Sequence, residues 1–455
     1  MVGGLRQEKR LPPGNHSGGP LRPGGWALTS KKVGWTSMRL AFIACAVVCL
    51  LVPVARPGHA AGPGFVTLFD GRSLRGWQLV GGTGQGYLVR DGLLVCPAGG
   101  GGILFTERQY SDFVLRFEFR LDKAGNNGVA IRSPLGGSPA YEAMEIQLLD
   151  DNDPAYASLE PGQYCGSIYK VVPARRGALR KAGEWNVMEI AASGRRIRVT
   201  LNGTVVVNAD LNTIRDPRII ADHPGIFRDR GYIGFMGHGP SEVAFRNVRI
   251  RDLSRPERPN TPPTGFRALF DGRTLNGWKG LVGNPPERAR MSPEQLAAEQ
   301  AKADERMRQH WKVADGVLVF DGKGDNLCTA RDYCDFELLV DWKIEPGGDS
   351  GIYLRGCPQV QIWDNPAGSG GLYNNQQNPS APARPADRPP GQWNRFRIIM
   401  VGERVHVFLN GELVVRNVVM ENYWERGRPV YPCGQIELQN HGSPLYFRNI
   451  YIRPL

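Results

Sequence analysis

The sequence predicts an all-β protein built from two β-sandwich or jelly-roll domains in tandem. Three observations carry this expectation. A nine-residue phrase, Phe69-Asp-Gly-Arg-Ser-Leu-Arg-Gly-Trp77, returns as Phe270-Asp-Gly-Arg-Thr-Leu-Asn-Gly-Trp278 with seven of nine positions identical. Runs such as 114–121, 197–201 and 405–409 alternate apolar and polar residues with period two, the mark of half-buried strands. Turn signals, including Leu-Asn-Gly at 201–203 and 409–411, close these runs as hairpins require.

The chain begins outside the repeats. Residues 1–37 are rich in Gly, Pro and Lys/Arg and show no periodicity. Met38-Arg39, an apolar run over 40–54 and Gly58-His59-Ala60 together read as a secretory signal peptide over about 38–60, which places the mature protein in the periplasm or outside the cell. The apolar run is short for a membrane span, and no second one follows. A signal this far from the first residue fits a translation start at Met38. Residues 1–60 hold eight Lys/Arg and one Asp/Glu, so their removal takes the formal charge from +12 to +5. The remaining charge is spread out, with no basic stripe interleaved by aromatics, which argues against a nucleic-acid partner. Six of the eight cysteines then remain, without a C-x-x-C pair, so a structural zinc site is not expected and disulfide pairing stays open.

The first repeat covers 64–253 and the second 265–455, joined by the Pro-rich, extended linker 254–264. The matches keep their order. Asp112-Phe113 answers Asp335-Phe336, each opening a strand. Gly128-Val-Ala-Ile-Arg132 answers Gly351-Ile-Tyr-Leu-Arg355, and Gln147-Leu-Leu-Asp150 answers Gln361-Ile-Trp-Asp364. Gly166-Ser-Ile-Tyr169 answers Gly370-Gly-Leu-Tyr373, Trp185-Asn186 answers Trp393-Asn394, and each repeat closes on Phe-Arg-Asn. One helix interrupts the second repeat. Ser292-Pro-Glu-Gln295 offers an N-cap, a first-turn Pro and a capping box ahead of an Ala/Glu-rich run to about residue 309.

Taken together, the opening phrase, the Gly-Ile-x-x-Arg and Gln-x-x-Asp strands, Gly-x-Ile/Leu-Tyr, Trp-Asn, Leu-Asn-Gly and the closing Phe-Arg-Asn resemble the DUF1080, or 3-keto-disaccharide hydrolase, family. The family is also called 3-keto-glucoside 1,2-lyase/3-keto-2-hydroxyglucal hydratase. The resemblance covers nearly all of both repeats. It implies concanavalin-A-like jelly rolls and exported proteins acting on 3-oxo sugars, among which tandem members include non-catalytic copies. A 3-keto group acidifies the C2–H. The chemistry therefore calls for a base, a donor at the ketone oxygen and an acid for the leaving group.

In the first repeat, Glu145 and Gln147 share one strand face while Ile146 and Leu148 face the core. Asp150 falls at the strand end, Arg132 and Tyr169 are candidate donors, and His238 is the best histidine. The second repeat has Gln359 where the first has Glu145. It keeps Arg355, Gln361, Asp364 and Tyr373 and adds Asp349, with His441 answering His238. Asp349 or His441 is then its candidate base, and Trp363 with Tyr373 its candidate sugar-stacking surface. His223, beside Pro224, reads as solvated, and His406 as lying on an exposed strand face. The run Asp150-Asp151-Asn152-Asp153 offers oxygens for a divalent cation, but its spacing fits no EF-hand and a solvated turn is the commoner outcome. No cofactor is otherwise called for. The functional expectation is an exported enzyme cleaving 3-keto-glycosides. The alternative is a non-catalytic protein that binds carbohydrate through paired lectin-like domains.

Overall fold

Strands that are apolar on one face only must pack that face against something, and in each repeat two antiparallel sheets solve the problem for each other. The computed structural model describes residues 64–455; the expected signal peptide lies outside them. In the first copy a large sheet runs in the order Thr204–Asp210, Arg196–Leu201, Trp185–Ser193, Phe113–Leu121, Val243–Asp252, Leu93–Cys96, Leu88–Arg90. A five-stranded sheet faces it in the order Trp77–Thr83, Gly101–Thr106, Tyr232–His238, Asn126–Ser133, Met144–Leu149. The second copy repeats both. Its five-stranded sheet runs Trp278–Gly280, Leu327–Thr329, Glu437–Leu438, Asp349–Leu354, Cys357–Trp363. These are two jelly-roll sandwiches.

The core lies between the sheets. Phe113, Leu115, Phe117, Phe119 and Leu121 alternate inward along one strand. Phe235 of the smaller sheet packs on Phe245 of the larger one at 4.2 Å and on Trp77 at 5.5 Å between ring centroids. The repeated opening phrase is a structural start. Asp70 accepts hydrogen bonds from the Arg72 and Ser73 amides and the Ser73 hydroxyl, and Asp271 does the same for Arg273 and Thr274. The buried Trp77 and Trp278 donate their indole N–H to Leu68 and Leu269 carbonyls at 2.7 and 2.6 Å. Asn202-Gly203 and Asn410-Gly411 take positive φ at the hairpin tips, the conformation that Asn and Gly tolerate best.

The expected helix forms over Pro293–His310, with the Ser292–Gln295 capping box in place. A shorter helix, Pro285–Arg290, precedes it, capped by Asn284 and Glu287, and was not expected from the sequence. Cys334 and Cys433 form a disulfide; Cys96, Cys165, Cys328 and Cys357 are free and buried.

The outer face of the second copy's large sheet is covered by the first copy, which corrects two sequence readings. His406 is buried rather than exposed, and Asn417 donates its backbone N–H to the Nδ1 of His406. Burial pushes its pKa down to about 4. His223 is buried rather than solvated. Its ring stacks on Tyr141, and its Nδ1 lies 2.8 Å from the Ala140 carbonyl. Ile399 and Phe408 of the second copy join the first copy's apolar core. Beside them the fully buried Glu337 accepts from Arg397 and Arg453, and Arg397 reaches across to Asp229 at 2.6 Å.

A carboxylate this buried is tolerable only while paired. Arg397→Met should therefore cost about 3–5 kcal/mol, read as a drop in the urea midpoint. Combining Glu337→Leu, Arg397→Met and Arg453→Met should recover most of that loss.

Candidate functional site

The five-stranded sheet of each copy turns its second face away from the core, and the candidate residues gather there. In the first copy Met144, Ile146 and Leu148 enter the core while Glu145 and Gln147 occupy the opposite face. Cross-strand pairing sets Glu145 against Ala130 and Gln147 against Gly128, with His238 against Asn126 on the next ladder. Gln147 donates its amide to the Asn126 side chain at 2.8 Å. Phe105, Ala130 and Met236 form a small apolar patch on the same face.

Both Glu145 and Gln147 are nevertheless buried, because neighbours close over the sheet edge. The Gly-Ser-Ile-Tyr segment pairs with this strand as a partial extra strand. Gly166 and Tyr169 donate backbone N–H to the Gln147 and Glu145 carbonyls at 2.8 and 2.9 Å. Tyr169 thus stands beside Glu145, half-buried, its hydroxyl 3.1 Å from the Gln163 amide. A Cβ at Gly128 would meet a Glu145 carboxylate oxygen at 2.2 Å, so the glycine makes room for the acid to lie across the ladder. The Glu145 carboxyl has no side-chain hydrogen bond or ion pair among the described residues. Burial alone raises its pKa from 4.5 to about 7. His238 reaches solvent at its strand end, yet surrounding protein atoms hold its pKa below the ordinary value.

The second copy builds the same face with different groups. Asp349, Gly351 and Tyr353 pair with Trp363, Gln361 and Gln359. Gln361 donates to Asp349 at 2.6 Å, Gln359 donates to Gln361 and Gln439 at 3.2 Å, and Gln439 donates to the Tyr353 hydroxyl at 3.4 Å. The His441 Nδ1 lies 3.2 Å from Asp349. Gly370 and Tyr373 repeat the edge pairing to Gln361 and Gln359, and Gly351 leaves the space that the Gln359 side chain fills.

Sequence reasoning missed the acid of this copy. Glu437, on the strand Glu437–Leu438, is buried on this face. Its pKa is raised to about 7 by burial, against the opposing pull of Arg288 and Asn326. The Tyr110–Gly231 and Tyr333–Gly434 bridges set Gly234 of the first copy opposite Glu437 of the second. Aligning 231–238 with 434–441 and reading the alternation would have found it. Arg288 belongs to the inserted helix Pro285–Arg290, whose Pro285 packs near Gly356 beside the Glu437 carboxylate.

Several expected site residues lie elsewhere. The Arg132 guanidinium is buried, donating to the Ser111 and Arg228 carbonyls and pairing with Asp112. Arg355 does the same with Cys334, Gly402 and Asp335. Both arginines brace the sandwich end rather than line the face. Asp150 and Asp364 accept from the backbone amides of Ala124 and Gly347 and close equivalent turns. Trp363 turns off the face into a small cleft of about 220 Å3 with Trp342 and Pro389, its indole N–H on the Gly368 carbonyl. Tyr373 is exposed beside Gln359. The acidic run is spent on structure. Asp151 accepts from the Cys165 amide and Asp153 from that of Ala155, and no metal-holding group of His, Cys, Asp or Glu occurs among the described residues.

A family model for the 3-keto-alpha-glucoside-1,2-lyase-like domain matches residues 64–251 and again 265–453. A 3-keto-disaccharide hydrolase of Bacteroides thetaiotaomicron is 26% identical over 249 residues, covering 42% of this chain and 79% of that protein. A crystal structure from Parabacteroides distasonis, named "Putative glycosyl hydrolase", is 28% identical over 42% of this chain and 99% of its own, with a TM-score of 0.37. A carbohydrate binding module from Bacillus subtilis is 13% identical over 39% of this chain and 96% of its own, with a TM-score of 0.27.

Two outcomes follow from the acids. Glu145 and Glu437 hold protons in the folded chain up to about pH 7 but lose them near 4.5 when unfolded. The folded state binds more protons in that window, so stability falls as pH rises through it. Urea midpoints at pH 5 and pH 8 should differ less in the Glu145→Gln, Glu437→Gln double variant than in the parent. Separately, Gly128→Ala should displace the Glu145 carboxyl and bring its pKa back toward 4.5, read by NMR titration of 13C-labelled glutamate.

Proposed function

Because the chain belongs to the 3-keto-alpha-glucoside-1,2-lyase-like family across both of its halves, we propose that it is a hydrolase that cleaves 3-keto-glycosides. A base removes the C2 proton and the electron pair moves onto the ketone oxygen as an enolate. The carbonyl then re-forms, a C1=C2 double bond closes as the C1–O bond breaks, and an acid protonates the departing aglycone oxygen. Water then adds at C1, and C2 regains a proton. The observation that carries this reading is a buried carboxyl, its pKa raised to about 7, on the face of each copy's five-stranded sheet that points away from the core, beside amide donors. A group poised near pH 7 both takes and returns a proton efficiently.

In the first copy Glu145 is the base, with Gln147 and Tyr169 nearby to hold substrate hydroxyls. In the second, Glu437 is the matching acid–base group, and His441, oriented by Asp349, is the second proton carrier. The charge state sets the pH dependence. The base works ionised, so turnover at the first copy rises as pH climbs through about 7. Residues 38–60 support export of this activity; sequencing the N-terminus of the secreted protein decides that part.

A second reading applies to the second copy alone. Its face is an amide relay of Gln359, Gln361 and Gln439, suited to neutral sugar hydroxyls, and its acid sits under Arg288. That copy would then bind carbohydrate without cleaving it.

Release of free sugar from a 3-keto-disaccharide distinguishes these. Glu145→Gln should lower turnover by ~10²–10⁴-fold if the first copy carries the chemistry. Glu437→Gln should remove the remaining turnover if both copies work, and leave turnover intact if the second only binds. No release by the parent protein across pH 5–9 would refute the hydrolase reading.

A further inference from the structure

A groove of about 1480 Å3 lies between the two copies, with the linker along one wall. It exceeds the ~300–1,000 Å3 of pockets that hold drug-sized molecules. Eight arginines and five carboxylates line it. The carboxylates are all committed. Asp112 pairs with Arg132, Asp229 with Arg397, and Glu412 with Arg384. Glu257 and Asp341 both hold Arg395. The arginines are not all committed. Arg230, Arg255 and Arg258 are exposed and have no carboxylate within ion-pair distance among the described residues. The groove therefore presents surplus guanidinium groups, which are suited to paired hydrogen bonds with carboxylate or sulfate oxygens.

One end of the groove meets the face of the first copy's five-stranded sheet that carries Glu145. Tyr232 lines the groove and also packs on Phe105 of the apolar patch, at 6.2 Å between ring centroids. Two residues along the same strand, Gly234 pairs with Ala130, which in turn pairs with Glu145. A chain lying in the groove is thereby led toward the carboxyl of the first copy.

We infer that this groove binds a polyanionic saccharide, a glycan carrying carboxylate or sulfate groups, and directs its end to the first copy. The sugar part of the inference rests on the carbohydrate reading above; the anionic part rests on the groove. Arg230, Arg255 and Arg258 hold the charged groups, and the paired arginines shape the walls. The cleaved bond then lies at the end of an anionic chain rather than in a free neutral disaccharide.

The test is calorimetric titration of the full chain at low salt with a galacturonate hexamer, a sulfated oligosaccharide of similar length, neutral maltohexaose and inorganic sulfate. At least one anionic oligomer should bind about tenfold or more tightly than maltohexaose and weaken as salt is added. The better of the two identifies the anion. The combined Arg230→Ala, Arg255→Ala, Arg258→Ala variant should lose about tenfold or more of that affinity while its turnover of a 3-keto-disaccharide is unchanged. Equal binding of the neutral oligomer, full competition by equimolar inorganic sulfate, or unchanged binding by the triple variant would each overturn the inference. Anionic binding that persists in a protein without 3-keto-glycoside cleavage would uphold the groove and refute the hydrolase reading.

Discussion

The five-stranded sheet of each copy must hide one face against the larger sheet behind it, and strict alternation then turns every second side chain to the other face. Ile146 and Leu148 cannot change without damaging the core, whereas Glu145 and Gln147 between them can. The same division holds for Val360 and Ile362 against Gln359 and Gln361. Gly128 and Gly351 extend the constraint across the ladder, because a long side chain can lie flat only over a residue with none. The edge segments ending in Tyr169 and Tyr373 complete it by closing the strand on its outer side.

Within that frame the two copies have exchanged their chemistry position by position. Asn126 of the first stands where the second has Asp349, Ala130 where it has Tyr353, and Glu145 where it has Gln359. Gly234 stands where the second has Glu437. Each copy thus keeps one buried carboxyl on the face but takes it from a different strand. Burial of two acids on the same sheet would set like charges into one desolvated region, and each copy avoids this by having an amide or a glycine at the other position. The histidine at the strand end changes with them: His238 faces an amide and His441 faces a carboxylate.

Much of this was legible from period two and the repeat. The sandwiches, the tandem arrangement, the packed Trp77 and Trp278, the capped helix and the shared face of Glu145 and Gln147 all come from local patterns. What was missed depended on contacts distant in sequence. Arg132 and Arg355 looked like ligands because a charge at the end of an apolar strand has no local partner; their partners, Asp112 and Asp335, lie about twenty residues away. His406 looked exposed by alternation, since nothing local says that a second domain covers that face. A signal was present all the same: Ile398-Ile399-Met400 and Val407-Phe408-Leu409 are continuous apolar runs, which mark strands buried on both sides. Glu437 gives no such signal, because its counterpart in the first copy is Gly234, so the repeat carries no matching acid at that position.

The contact between the copies is also unequal. The second copy uses the outer face of its large sheet, with Arg397, Ile399, His406 and Phe408, against a different surface of the first, around Ile220, Ile226 and Phe227. Such a head-to-tail contact does not close on itself and could in principle be extended without end. The first copy's own large sheet has Glu189, Ala191, Arg198 and Thr200 at the corresponding positions, and Arg116 and Arg246 tie up Glu189 and Glu118 there. That wetted, ion-paired surface lacks the apolar seat that Ile399 and Phe408 supply in the second copy, so the same stacking contact cannot be repeated on it.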